Sequence, residues 1–205
     1  MTTLLEILRR AQDLGMFGPG SVEGQLAHAE AFVELALADA DEPPWPFLDL
    51  GSGGGLPGLV LAQRPGAGGT LLDAQQRRAE FLTEAVAALA LAGRIMVVAG
   101  RAEDIARDPK HRGRYGLVTA RSFGAPAVTA ECAAGFLRAG GRLAVSEPPG
   151  GAPTRWSAPA LETLGLSPPR FAYHAGASVA LLDHPGQTSP RWPRRPGIPA
   201  KRPLW

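Results

Sequence analysis

One cysteine, Cys132, is all the thiol in a chain of 205 residues. A single thiol excludes an internal disulfide framework and a zinc site built on thiolates, and no metal is expected. No apolar run is long enough to span a bilayer, and the first helical segment is amphipathic rather than an apolar leader. The expectation is a cytoplasmic protein with no membrane anchor. A strong excess of one charge is lacking as well, since the formal net charge is only +2. That balance is too small to announce nucleic-acid binding by itself. No Ser/His/Asp or Cys/His constellation stands out, and there are no internal repeats. What is present is an ordinary globular balance, 45% hydrophobic and 20% charged. The length most simply makes one domain with a substantial core.

The stretch Phe47-Leu-Asp-Leu-Gly-Ser-Gly-Gly-Gly-Leu-Pro-Gly-Leu-Val-Leu-Ala62 organises the rest. It reads as a short buried strand, a glycine turn and a helix opened by Pro57, whose missing N–H has no intrahelical partner in a first turn. Gly51, Gly53 and Gly55 permit positive φ and leave no Cβ between the backbone and a ligand. Such a unit forms the mouth of a doubly wound sheet, where ligands lie beyond the strand's carboxyl end. Leu56 stands where a dinucleotide fingerprint has its third glycine, which weakens NAD or FAD, and no Lys-Ser/Thr follows, which excludes a P-loop. Asp73 ends the next strand about twenty residues on, where a carboxylate accepts ribose hydroxyls. It also suits a helix N-cap, and the two uses are compatible. An acidic strand end beside a turn that binds no phosphate suits a nucleoside with a cationic tail. S-adenosylmethionine (SAM) is the candidate.

Two helices precede this core, one capped by Thr2 or Thr3, the other capped by Ser21 and closed by Asp41-Glu-Pro-Pro44. His28, on the second, reads as a partly exposed structural histidine. Beyond Ala62 the pattern alternates: strand 70–74, helix 77–91, strand 95–99, a short acidic helix from Ala102, strand 116–120, helix 126–137 and strand 142–145. Strands alternating with helices imply a parallel sheet covered on both faces. A helix near 158–164 and two strand-like runs, 170–174 and 178–182, complete the pattern as a hairpin. The expected organisation is an N-terminal helical cap (1–44), an α/β core (45–184) and a basic, proline-rich, irregular tail (185–205). That tail carries Arg191, Arg194, Arg195, Lys201 and Arg202 without an acid, beside Trp192 and Trp205. It is either an RNA contact, cations on phosphates and aromatics on bases, or a solvated tail pinned by its tryptophans.

Asp49-Leu-Gly-Ser-Gly-Gly-Gly-Leu-Pro-Gly58, Leu71-Leu-Asp73, Gly100-Arg-Ala-Glu103 and Thr119-Ala-Arg-Ser-Phe123 together resemble, in order and spacing, the RsmG (GidB) family. Trp192-Pro-Arg-Arg-Pro-Gly-Ile-Pro-Ala-Lys201 is similar to the tail many members carry. The resemblance implies a class I methyltransferase: a Rossmann-like, mostly parallel seven-stranded sheet with an antiparallel C-terminal hairpin and two N-terminal helices. It implies a SAM-dependent enzyme methylating guanine N7 in 16S ribosomal RNA, with the small ribosomal subunit or its RNA as partner. By that resemblance Gly51 and Leu56 approach the cofactor, Ala102 and Glu103 border its adenine, and Arg121 lies at the cofactor site. Asp49 orients the glycine turn or meets the methionine ammonium. Arg121 is the candidate catalytic residue, its guanidinium holding a carboxylate or a target phosphate in a fixed fork, or else pairing with an acid for structure. Phe123 either stacks on a flipped guanine or packs in the core.

Three features depart from the family pattern. The N-terminal region is shorter and lacks an Asn-Leu-Thr, Ser146-Glu147 stands where members present Lys-Gly, and Asp183 ends the last strand where a basic residue is usual. Two other readings therefore stay open: a diverged paralogue methylating a small molecule or another RNA, and a non-catalytic SAM- or RNA-binding protein. A basic cleft favours RNA, a neutral or acidic one a small molecule.

Overall fold

A computed structural model describes residues 2–39, 43–150 and 153–205. Its strands are β1 (Phe47–Leu50), β2 (Gly69–Asp73), β3 (Ile95–Ala99), β4 (Tyr115–Ala120), β5 (Leu137–Glu147), β6 (Arg170–His174) and β7 (Ala177–His184). They form one sheet in the order β3-β2-β1-β4-β5-β7-β6. β1 pairs in parallel with β2 and β4, β2 with β3, and β4 with β5, while β7 runs antiparallel to both β5 and β6. This is the class I methyltransferase arrangement, with the C-terminal hairpin inserted so that its second strand lies next to β5. Chain order reverses at β1, so a crevice opens beyond the carboxyl ends of β1 and β4.

Every residue of β1 and β4 is buried, which explains their near-continuous apolar runs: strands covered on both faces do not alternate. On one face lie α1 (Leu4–Asp13), α2 (Val22–Leu37), α3 (Gly58–Ala62) and α4 (Gln76–Ala88), packing Leu8, Phe32, Leu61 and Leu82 onto Phe47 and Leu71. On the other lie α5 (Ala102–Ile105), α6 (Pro126–Ala134) and α7 (Ala158–Leu164), where Phe136, Leu161 and Cys132 meet Leu48, Leu50 and Val118. Burial pushes the Cys132 thiol up, as it does any anion-forming group in an apolar core. Thr3 opens α1 with a reciprocal capping box to Glu6, and Ser21 accepts the Gly24 N–H at the start of α2. No helix among the described residues is long and apolar enough to cross a membrane.

The structure departs from the sequence pattern at several places: Pro57 is the N-cap of α3 rather than its first residue, α4 ends at Ala88 rather than at 91, and β7 spans Ala177–His184 rather than 178–182. α6 stops at Ala134, and β5 begins at Leu137 rather than at 142. The extra length is a bulged run, with a register shift between Tyr115 and Leu117 on the partner strand and Gly140 at φ +74°. Glycines in a strand interior read locally as a break, and here they mark a bulge. The tail, expected to be irregular, contains a short helix, α8 (Ile198–Lys201), entered through Gly197 at φ +79°. The second helix ends at Leu37; of the acids assigned to close it, Asp41 and Glu42 lie outside the described residues.

Candidate active site

The crevice is built around two carboxylates that shape the glycine turn. Asp49, fully buried near the end of β1, accepts the Gly58 N–H on Oδ2 (3.1 Å) and the Thr119 hydroxyl on Oδ1 (2.8 Å). It thereby ties the start of α3 to β4. Gly58 has to be glycine, because a Cβ there would lie 2.4 Å from Leu71 and 2.6 Å from Asp49 Oδ2. Asp73, also buried, accepts the Gly53 N–H on Oδ2 (2.9 Å) and the Gln75 N–H on Oδ1 (2.9 Å). One oxygen thus pins the turn while the other bends the chain ahead of α4; Asp73 is not that helix's N-cap, which is Gln75 and makes no side-chain cap bond. The turn itself passes through positive φ at Gly51, Gly53 and Gly55, conformations that cost an L-residue about 1–2 kcal/mol.

Burial raises the Asp49 carboxyl from 3.8 to about 6, against the pull of its hydrogen-bond donors and of the Arg121 charge. The folded protein therefore disfavours the ionised form relative to the unfolded chain. Asp49's contribution to stability is complete below the unfolded value and is lost as pH rises through about 6, a change on the order of 3 kcal/mol. Asp49→Asn keeps an acceptor for the Gly58 amide and is expected to flatten the pH dependence of stability between about pH 4 and 7 in denaturant titrations. An unaltered slope would assign that titration to a different group.

Over the turn lies a cavity of about 530 Å³. Its floor is Gly51–Gly54 with Leu56, its roof the loop Met16–Pro19 with Gln25 and His28, and its charged walls Arg78 and Arg121. Phe17 covers Gly54 so closely that a Cβ there would sit 2.6 Å from the ring. Arg121 follows β4 directly. Burial lowers its pKa, the Asp49 charge opposing that shift, and among the described residues it has no carboxylate within ion-pair distance. His28 Nδ1 is buried without a hydrogen-bond partner, and burial together with the Arg121 charge lowers the imidazole's pKa. No carboxylate lines the cavity among the described residues.

Ala102 and Glu103 lie outside that cavity, at the start of α5 beyond β3, both buried. Burial raises the Glu103 carboxyl, but hydrogen bonds from Arg101 and from the Gly197 amide outweigh it and hold the group below its ordinary value. Both donors converge on Oε1, at 2.9 Å each. Gly197 belongs to the tail, which is fastened along its length. Arg112 donates to the carbonyls of Thr188, Ser189 and Trp192, and the Trp192 indole N–H reaches Thr163 O at 2.9 Å. Arg194 grips the fully buried Glu131 through Nε (2.8 Å) and Nη2 (2.6 Å), and its backbone N–H donates to the same carboxylate. Trp205 donates from its indole to Arg155 O and packs against Trp156.

The sequence-derived candidates are thus divided in space. Gly51, Gly53, Leu56 and Arg121 line the cavity, and Asp49 and Asp73 brace it from below. Gly55 faces away, its missing Cβ making room for Leu59. Phe123 lies against Gly51, where a Cβ would stand 2.7 Å from its ring. In the tail Arg191 stacks 4.6 Å from the Trp192 ring centre, Arg195 and Lys201 are exposed, and Arg194 is committed to Glu131. Phe17, Gln25, His28 and Arg78 line the cavity too, although the sequence analysis assigns none of them to the site, and so does Ser146, which stands where family members present a lysine. For Arg78 a signal existed: the first turn after β2 points at the same crevice. Among the described residues no three His, Cys, Asp or Glu side chains are grouped to hold a metal.

The family model GidB, described as rRNA small subunit methyltransferase G, matches residues 28–146. A protein of Moorella thermoacetica called ribosomal RNA small subunit methyltransferase G is 38% identical over 180 residues, covering 83% of this chain and 74% of the relative. One of the same name from Symbiobacterium thermophilum is 39% identical over 194 residues, covering 87% and 78%. Among solved structures, the T. thermophilus 16S rRNA N2 G1207 methyltransferase RsmC, bound to SAM and guanosine, superposes with a TM-score of 0.52 at 22% identity over 77% of this chain and 40% of that one. PigF with its bound SAM product superposes with a TM-score of 0.58 at 19% identity over 87% and 58%. At such identities these structures establish the fold.

Proposed function

The chain belongs to the GidB family of small-subunit ribosomal RNA methyltransferases, and on that premise we propose that it transfers a methyl group from SAM to N7 of a guanine in 16S ribosomal RNA. The observation that carries the RNA reading is the Arg121 guanidinium in the cavity wall, which has no carboxylate within ion-pair distance among the described residues, whereas the other lining cation, Arg78, is paired with Asp73 at 3.9 Å. The acids that depart from the family pattern leave that charge intact. Glu147 is buried against Arg155, and Asp183 is paired with Arg142 (3.0 Å) and Arg170 (3.4 Å). Neither lines the cleft.

The residues fit the cofactor. A Cβ at Gly53 would have only the Gly51 carbonyl, 3.8 Å away, near it, so the turn presents bare backbone to open space. Asp73 retains lone pairs for ribose hydroxyls beside the amides it already accepts. SAM supplies an electrophilic methyl group on a sulfonium sulfur. The chain's own task is alignment, because guanine N7 offers a lone pair and has no proton to lose. Holding the reactants in line contributes on the order of 7 kcal/mol or more of the barrier reduction. Arg121 holds an anionic group in its fork at the cavity wall, while Phe123 does not line the cavity and packs instead on Gly51 and the apolar core, supporting the turn. Ribosomal RNA is met in the cytoplasm, and the reaction belongs there.

Of the four exposed tail cations, of which Arg202 is the fourth, Arg191, Arg195 and Lys201 are the three assigned to phosphates. Replacing all three by alanine is expected to lower the slope of log affinity against log salt by roughly 2 to 3, with SAM affinity unchanged. A slope equal to the parent's would remove the tail from the RNA interface. For the function as a whole, we expect S-adenosylhomocysteine (SAH), the demethylated product, to bind in calorimetry. Nucleoside mass spectrometry of 16S RNA from a deletion strain should lack one N7-methylguanosine. Full retention of that nucleoside would overturn the RNA assignment, and no heat with SAH the cofactor assignment.

A further inference from the structure

The tail meets Glu103, which lies after β3 outside the cavity, at a single atom. Glu103 Oε1 receives both Arg101 Nη2 and the Gly197 N–H, while Oε2 has no protein partner among the described residues. A carboxylate held on one oxygen by two donors cannot rotate freely, and its other oxygen is presented in one direction. Glu103 is 4% exposed and begins the helix after β3, the side of the crevice away from Arg121. Gly197 reaches it because it sits at φ +79°, the left-handed conformation that turns its amide inward and starts α8. Nothing lies within 4 Å of where a Cβ at Gly197 would be. Packing therefore does not require glycine there; backbone conformation does.

We infer that the C-terminal segment is part of the cofactor site, with Gly197 as a positioning residue that orients Glu103 toward the nucleoside end of SAM. This rests on the SAM reading of the crevice. The anchors already described, Arg112 on the tail carbonyls and Glu131 on Arg194, hold the segment so that the Gly197 amide arrives in place. Docking of the tail and binding of the cofactor are then thermodynamically linked, and each strengthens the other by the same factor.

The open space at position 197 supplies a clean test. Gly197→Asn tolerates the left-handed region, whereas a β-branched side chain is strongly disfavoured there. Gly197→Val is expected to weaken SAH binding about tenfold in calorimetry, as loss of a hydrogen bond to a charged group does. It should raise KM for SAM without changing kcat or KM for RNA, while Gly197→Asn stays within about twofold of the parent. In a Glu103→Ala background, Gly197→Val should add nothing further. Reciprocally, SAH should slow hydrogen exchange at the Gly197 amide of the parent by about the same tenfold. Equal SAH affinity in Gly197→Val, or a loss that persists in full without Glu103, would overturn the inference while leaving the SAM assignment standing. Failure of the parent itself to bind SAH would overturn both. Should Gly197→Val not fold, Gly197→Ala poses the same question with less strain, and the exchange measurement needs no variant.

Discussion

Arg121→Ala is expected to slow methyl transfer by at least about 100-fold while stability changes by no more than about 1 kcal/mol. The asymmetry follows from the surroundings of the side chain. It follows β4 at the switch of the sheet, lines the cavity, and has no described carboxylate within ion-pair distance, so its removal breaks no salt bridge. The Arg121 guanidinium is partly buried at the cavity wall and has no ionic partner among the described residues, so it is free to pair with an anion entering the cavity. Arg121→Lys restores charge without the planar fork and should recover only part of the rate. A second readout separates orientation from field. The Arg121 charge holds Asp49 down, so the carboxyl of Arg121→Ala should titrate above its parent value of about 6. Unchanged turnover would take Arg121 out of the mechanism, and an unmoved Asp49 would show that the two charges do not sense one another.

Arg194→Ala is expected to be the most destabilising single change in the tail, costing about 3–5 kcal/mol in denaturant unfolding. Glu131 is 0% exposed, on a helix whose other buried residues carry no charge, and Arg194 supplies its only described ionic partner. Truncating the arginine leaves a carboxylate buried without a countercharge, a larger penalty than loss of the pair itself. The paired replacement Glu131→Gln with Arg194→Met keeps an acceptor for the backbone N–H of residue 194 and removes both charges. It should regain most of the lost stability. A double variant no more stable than Arg194→Ala would show that the tail is held by shape, through Trp192, rather than by charge.

Much of this architecture is legible in the order of residues along the chain. The glycine turn, Asp73 at its strand end and the alternation of strands with helices give the sheet and its switch point, because parallel strands need crossovers and buried strands read as apolar runs. Local pattern does not locate the start of β5. Its first half pairs through a bulge at glycines, which looks like a loop until the partner strand is known. Nor can it show what roofs the crevice. Phe17 and His28 belong to segments far in sequence from the turn, and a ring over Gly54 is a tertiary fact that no spacing encodes. The tail illustrates the same limit: its arginines read as a basic patch, yet Arg194 faces inward because Glu131, on a separate helix, is buried opposite it.

The Gly197 amide and the Trp205 indole fasten the tail to Glu103 and Arg155. A reporter group attached after Trp205 would therefore strain the contacts that hold this segment against the domain, whereas one attached to an exposed side chain of α1 would leave them untouched.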